Sequence, residues 1–187
     1  MLYKYGAVVR VNPLHNGHEA LLNHLGEEAI IAKAASNMPL SARNPLSLEE
    51  TMYLLNWHAK KYSKRFRFFN MPDFYHLGKE FEDGIYWAEY LDTQFKSFGG
   101  VETIVTGDEK TELLMSPKYK IIHPNELIPQ NERVNINSSM VKVAIARDDD
   151  DGFRNMVPGY VYRFMKANSI YERIRRDFGD EILKKYA

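Results

Sequence analysis

Short apolar runs rich in β-branched residues alternate along most of the chain with segments that repeat apolar residues at helical spacing. The runs "YGAVVRV" (5–11), "AIIAKAA" (29–35), "FRFFNM" (66–71) and "VETIVT" (101–106) read as strands, with "YKIIH" (119–123) as a fifth. Between them "HEALLNHL" (18–25) and "GIYWAEYLDTQFKSF" (84–98) read as helices. A third helix opens on Ser47 and Glu50 as a capping box and continues through Leu48, Met52, Leu55, Ala59 and Tyr62. From Pro158, which suits a first-turn position, the tail is predicted helical. Strand–helix alternation of this kind predicts an α/β fold with a doubly wound parallel sheet. No repeat or linker interrupts it, and 187 residues with 44% apolar content suffice for a single domain, 1–187. The helical segment from about 158 to 187 is expected to pack on that domain.

Charge narrows the function. Twenty-five basic residues balance 25 acidic ones, so no long-range field favours nucleic acid or an anionic membrane. Any anionic ligand must be held by local donors. The absence of cysteine excludes a disulfide framework, a thiolate metal site and a thiol nucleophile. No apolar run approaches the roughly 20 residues of a membrane span, and "MLYKYGAVVRV" lacks a basic region followed by a long apolar segment. A soluble, cytoplasmic protein is expected.

Ligands of doubly wound sheets bind beyond the carboxyl ends of the strands, where the strand order reverses. "NPLHNGH" (12–18) stands there, after the first strand and at the start of its helix. Three readings are open. His15 and His18 could ligate a metal, but no acidic residue lies at a standard offset and the histidines at 24, 58, 76 and 123 are scattered. Asn16 could be a plain helix cap, with Gly17 making a tight turn. Or the stretch holds phosphate. A helix N-terminus offers unpaired N–H groups, Gly17 removes a side chain where an anion must come close, and two imidazoles donate to phosphoryl oxygens. Arg10, at the end of the same strand, would lie on the same edge. A second such helix start follows in "NINSSMVK" (135–142), where Asn137, Ser138 and Ser139 suit a cap and Lys142 brings a cation one turn later.

Together the two stretches resemble the paired signature of the H-x-G-H nucleotidyltransferase superfamily, whose second motif usually reads I-S-x-T-x-x-R. Within it the chain resembles the archaeal-type nicotinamide mononucleotide adenylyltransferases and their bacterial and phage relatives, some of which carry a Nudix domain. "YGAVVRVNPLHNGH" is similar to the family's G-R-F-Q-P-F-H-x-G-H opening, and "SARNPLSLEE" to its S-x-R-[ND]-P-F segment. "MPDFYHLGKEFEDGIYWAEYL" resembles its P-x-x-D…W stretch, and "DGFRNMVPGYVYRFMKANSIYERI" its ending.

The resemblance implies a Rossmann-like nucleotidyltransferase fold and the joining of ATP to nicotinamide mononucleotide, giving NAD and pyrophosphate. It implies that Arg10, Asn12, His15, Gly17, His18, Gly107, Asn137, Ser138, Ser139 and Lys142 bind ATP. Of these, His15, His18, Arg10 and Lys142 would act in catalysis. Ala34, Ala35, Arg43, Asp73 and Trp87 would meet the mononucleotide, Trp87 against its ring. Mg²⁺ is implied as an ion held by the ATP phosphates and water, with no protein cage, and a homo-oligomer is expected.

Three positions depart from the family. Lys142 replaces its arginine and loses the bidentate grip. Ala34-Ala35-Ser36 replaces its small G-S-A turn, and Thr51 stands where it has an arginine. These departures keep two alternatives in view: another acceptor (pantetheine phosphate, flavin mononucleotide, a sugar or alcohol phosphate), or a non-catalytic nucleotide-binding relative. "RDDDDG" (147–152) fails as a calcium loop, since Gly152 at position six puts Arg147 at one and Pro158 at twelve. It reads as a solvated acidic loop. The aromatic-rich "RFRFF" and "FYHLG" read as core.

Overall fold

The computed structural model describes residues 2–74 and 84–187. They divide into two units: Met1–Arg10, Leu21–Met38 and Ala59–Asn131 in the first, and Val11–Ala20, Pro39–His58 and Glu132–Ala187 in the second. Residues 75–83, the middle of the "MPDFYHLGKEFEDGIYWAEYL" segment with His76, lie outside the described residues.

The first unit holds the sheet. Strands β1 (Tyr3–Val9), β2 (Glu28–Ala34), β3 (Arg65–Met71), β4 (Val101–Val105) and β5 (Lys120–Ile122) pair in the order β3-β2-β1-β4-β5. Every pairing is parallel. Helices α1 (Asn16–His24) and α2 (Leu48–Lys61) follow β1 and β2 in the chain, and α3 (Ile85–Ser97), α4 (Glu109–Met115) and α5 (Pro124–Leu127) follow β3, β4 and β5. Residues Ala29–Lys33 of β2 are all buried, as expected of an inner strand covered on both faces. One face of the sheet, with Ile30, Ala32, Phe69, Met71, Val101 and Ile104, forms a core with Ala88, Leu91 and Phe95 of α3 and Met115 of α4. Gly6 makes this approach possible, since a Cβ there would lie 2.7 Å from the Phe95 ring. The buried carboxylate of Asp92 pins α3 by accepting from Tyr119 Oη at 2.6 Å and from Lys96 and Lys118 at 2.9 Å. The strand order reverses between β1 and β4, so a ligand crevice belongs at their carboxyl ends. The doubly wound parallel α/β expectation holds. β1 ends two residues before the predicted boundary, because the ladder with β2 stops at the Val9–Lys33 pair.

The second unit is helical, with α6 (Ser138–Ala146), α7 (Asp150–Met156), α8 (Gly159–Ala167) and α9 (Ile170–Tyr186). The acidic stretch is mostly exposed but only partly a loop, since α7 begins at Asp150. Asp149 caps α7 by accepting from Gly152 N–H at 2.9 Å, and Phe153 is buried behind it. Asp150 accepts from Tyr162 Oη at 2.7 Å, and Asp148 pairs with Arg175. The helical tail breaks at Ser169, which takes a left-handed conformation at φ 54°.

Ser47 and Glu50 form the capping box at the start of α2, each side chain bonded to the other's N–H at 3.1 and 2.8 Å. Glu50 also receives both terminal nitrogens of Arg173 on α9, at 2.7 and 2.8 Å, and Arg173 donates to the Pro45 carbonyl at 3.0 Å. Glu50 thus draws its cation from 123 residues downstream. Replacing Arg173 with methionine should cost about 1.5–3 kcal/mol, the scale for hydrogen bonds to a charged group. The urea midpoint measures it, and a shift below about 0.5 kcal/mol would show that this pair contributes nothing.

Candidate functional site

Two clusters carry the residues singled out from the sequence, one in each unit.

In the first unit, Arg10 follows β1 directly, and its guanidinium lies 3.9 Å from the Asp73 carboxylate, beyond β3. The loops after β2 and β3 are clasped twice. Asn37 donates its amide to the Asp73 carbonyl at 2.9 Å and accepts from the Asp73 N–H at 2.7 Å. Ala34 ends β2, and Ala35 adopts a left-handed conformation at φ 55°. Glycine takes that conformation freely, whereas alanine must be held in it by its surroundings. Ser36 N–H completes the turn by donating to the Met71 carbonyl at 3.1 Å. Gly107 lies exposed after β4, and a Cβ there would meet His123 at an ordinary 3.4 Å. Trp87, in the first turn of α3, is half-buried and packs against the core of this unit.

In the second unit, Asn12 is 2% exposed, and both ends of its amide are used within the chain. It donates to Asn44 Oδ1 and accepts from Leu46 N–H, each at 3.1 Å. Asn12 therefore ties the histidine loop to the "ARNP" loop. Asn16 is the first residue of α1, and its side chain reaches the Asn155 carbonyl at 2.9 Å. His15 and His18 stack with ring centroids 3.8 Å apart and planes tilted by 37°. Burial holds the His15 pKa down to about 4. Burial and then the neighbouring His15 push that of His18 well below the ordinary value. Both rings are neutral at pH 7. Each keeps a buried Nδ1 with no hydrogen-bond partner among the described residues.

Gly17 has a tighter reason to be glycine than a turn. A Cβ there would stand 3.1 Å from the His15 ring and 3.2 Å from the Ile136 carbonyl. The glycine lets the imidazole fold over the start of α1. It also brings the "HNGH" stretch against the "NINSSMVK" stretch, about 120 residues away. Asn137 caps α6, accepting from the N–H groups of Ser139 and Met140 at 3.0 Å each. Ser138 and Ser139 form the first turn beyond it. Lys142 is 3% exposed, donates to the Ala42 carbonyl at 3.2 Å and lies 4.1 Å over the Tyr186 ring. Arg43, the next residue after Ala42, is exposed. The structure thus brings together His15, Gly17, His18 and the α6 start, and sets Lys142 against the loop that carries Arg43.

The cluster gathers orphaned imidazole nitrogens, a glycine at a helix start and a capped second helix start, groups able to donate hydrogen bonds to an anion. Among the described residues no three His, Cys, Asp or Glu side chains converge on a common point. No helix among the described residues is long and apolar enough to cross a membrane.

Sequence reasoning missed Lys33. It is 2% exposed near the end of β2, donates to the Ala35 carbonyl at 3.4 Å, and has its pKa lowered to about 8 by burial and then by Arg10. The signal was present: a single lysine interrupts the apolar run "AIIAKAA".

No protein-family model and no curated protein sequence matches the chain. Among solved structures, the fold is similar to a bifunctional NMN adenylyltransferase/ADP ribose pyrophosphatase from Francisella tularensis. With AMP and Mn ion bound, that protein aligns with a TM-score of 0.63 and 14% identity over 93% of this chain and 52% of its own. A second structure of it aligns with a TM-score of 0.65 and 14% identity, over 94% and 53%. The chain spans about half the length of these neighbours. At such identity the likeness shows the fold alone, a Rossmann-like α/β fold with a parallel sheet.

Proposed function

We propose that the chain is an adenylyltransferase that joins ATP and nicotinamide mononucleotide to give NAD and pyrophosphate. The observation that carries this reading is the meeting of the two motif stretches at Gly17 and Ile136, beside a neutral, stacked imidazole pair with unsatisfied nitrogens. The fold shared with the Francisella protein supports it, as does the match of motifs in order along the chain.

In the proposed reaction a 5′-phosphate oxygen of the mononucleotide attacks the ATP α-phosphorus in line. The new P–O bond forms as the bond to the β-phosphate bridging oxygen breaks, and pyrophosphate leaves. The attacking phosphate is already deprotonated, so no general base is required. Catalysis then rests on positioning and on donors aimed at charge that builds on the α-phosphoryl oxygens. His15 and His18 are the donors, with His18 on the α-phosphoryl group. Arg10, Lys142 and the Ser138–Ser139 turn hold the remaining phosphates, and Arg43 and Asp73 serve the mononucleotide. Mg²⁺ enters as part of the Mg-ATP substrate.

Incubation with Mg-ATP and a panel of acceptor phosphates, followed by chromatography of dinucleotide and pyrophosphate, tests this. NAD from nicotinamide mononucleotide is expected. Pyrophosphate with pantetheine phosphate, flavin mononucleotide or a sugar phosphate alone would replace the acceptor, and ATP binding without turnover would leave a nucleotide-binding relative. Trp87→Ala should raise the mononucleotide KM roughly tenfold with little change in kcat, the scale for one aromatic stack. An unchanged KM would return Trp87 to the core alone.

A further inference from the structure

A lysine inside a parallel strand covered on both faces is out of place on packing grounds. Burying its ammonium costs several kcal/mol unless partners compensate. Alternation along β2 puts Ile30 and Ala32 in the α3 core and Lys33 on the opposite face, next to Val9 of β1 and Asn70 of β3. The hydrogen bond from Lys33 Nζ to the Ala35 carbonyl is long, at 3.4 Å. Arg10 repels Lys33, and among the described residues Arg10 lies 3.9 Å from the Asp73 carboxylate. Two cations thus stand at the carboxyl ends of β1 and β2, the edge where such sheets take ligands.

We propose that Lys33, together with Arg10, forms an anion subsite at the carboxyl ends of β1 and β2 that binds a phosphate group of the substrate. This rests on the nucleotidyltransferase reading above and adds to it a binding residue that the motifs do not contain. Phosphate oxygens would supply what the carbonyl of Ala35 supplies only weakly, and would turn the repulsion between Lys33 and Arg10 into joint attraction. A purely structural role would make Lys33 a staple for the left-handed Ala35 turn, and the two roles separate experimentally.

Because burial and Arg10 hold the Lys33 pKa at about 8, an arriving phosphate should raise it and draw in a proton near pH 8. Of the charged groups around it, Arg10 keeps its charge throughout and Asp73 answers Arg10, while Val9 and Asn70 carry no titrating group.

The test is calorimetric binding of ATP, nicotinamide mononucleotide and inorganic tripolyphosphate to the whole chain at pH 8, in buffers of different ionisation enthalpy. Lys33→Met is expected to weaken at least one phosphate ligand roughly ten- to a hundredfold. Loss in the ATP and tripolyphosphate arms assigns the subsite to the triphosphate, and loss in the mononucleotide arm to the acceptor. Wild-type binding should take up a fraction of a proton at pH 8. Unchanged affinity in Lys33→Met, with only a lower melting temperature, would overturn the proposal in favour of the staple. If the variant does not fold, absence of proton uptake by the wild-type chain would overturn it equally. Binding that depends on Lys33 in a chain that makes no NAD would keep the subsite and remove the proposed activity.

Discussion

Replacing His18 with alanine is expected to slow turnover at least about a hundredfold while leaving the chain folded, the scale for removing one preorganised donor from a developing oxyanion. The reasoning starts from the ring itself. His18 lies in the first turn of α1, tilted against His15 with centroids 3.8 Å apart, and its buried Nδ1 is unmatched among the described residues. Deleting the imbalance leaves the folded protein no less satisfied, so the loss should fall on kcat and spare ATP affinity. Steady-state kinetics and a melting curve on the same sample separate the two. A variant at near-full rate would end the role given to His18. A variant that melts far below wild type would make the ring a packing element.

Acid should unfold this chain earlier than its carboxylates alone would dictate. In the unfolded chain a histidine takes up a proton near pH 6.5, whereas burial keeps His15 neutral in the folded protein down to about pH 4. The sign follows directly. The contribution of His15 is fully present above about pH 6.5 and drains away as pH falls towards 4. Each pH unit in that window costs about 1.4 kcal/mol for one such site, so His15 alone removes about 3 kcal/mol. His18, lowered further by the charge that His15 would carry, steepens the fall. Urea midpoints between pH 7 and 4.5 measure this in a window above most carboxylate titrations. His15→Gln should flatten the slope by about half or more. An equal slope in the variant would show that the imidazole pair is not the acid-sensitive element.

The fold could be read from the sequence with small errors, and the errors have physical causes. β3 was expected from residue 66 and begins at Arg65. The apolar run predicts β1 as far as Val11, which is fully buried, but burial marks packing and not the end of a ladder. The helix α7 was hidden by its aspartates, whose charge suggested solvent although Asp149 is a cap and Asp150 an acceptor for Tyr162. The break at Ser169 was invisible because helical periodicity runs through it and no glycine marks the left-handed residue.

At the candidate site, local signals were legible and distant partners were not. The cap at Asn137 and the capping box at Ser47 are sequence-local, and both are present. That Lys142 would be covered by Tyr186, 44 residues on, has no local signature. Neither does the reach of Arg173 to Glu50, nor the weight that Gly17 places on the Ile136 carbonyl.

If the chain binds a nucleotide as proposed, that last contact gives the bound nucleotide a mechanical meaning. Residues 17 and 136 close a loop of about 120 residues, whose closure entropy is about 4 kcal/mol in the unfolded chain. A phosphate held by both turns is then a removable cross-link between distant parts of the sequence. At a hundred times its Kd it would add about 2.7 kcal/mol against unfolding, and proteases would meet a more tightly closed chain whenever substrate is plentiful.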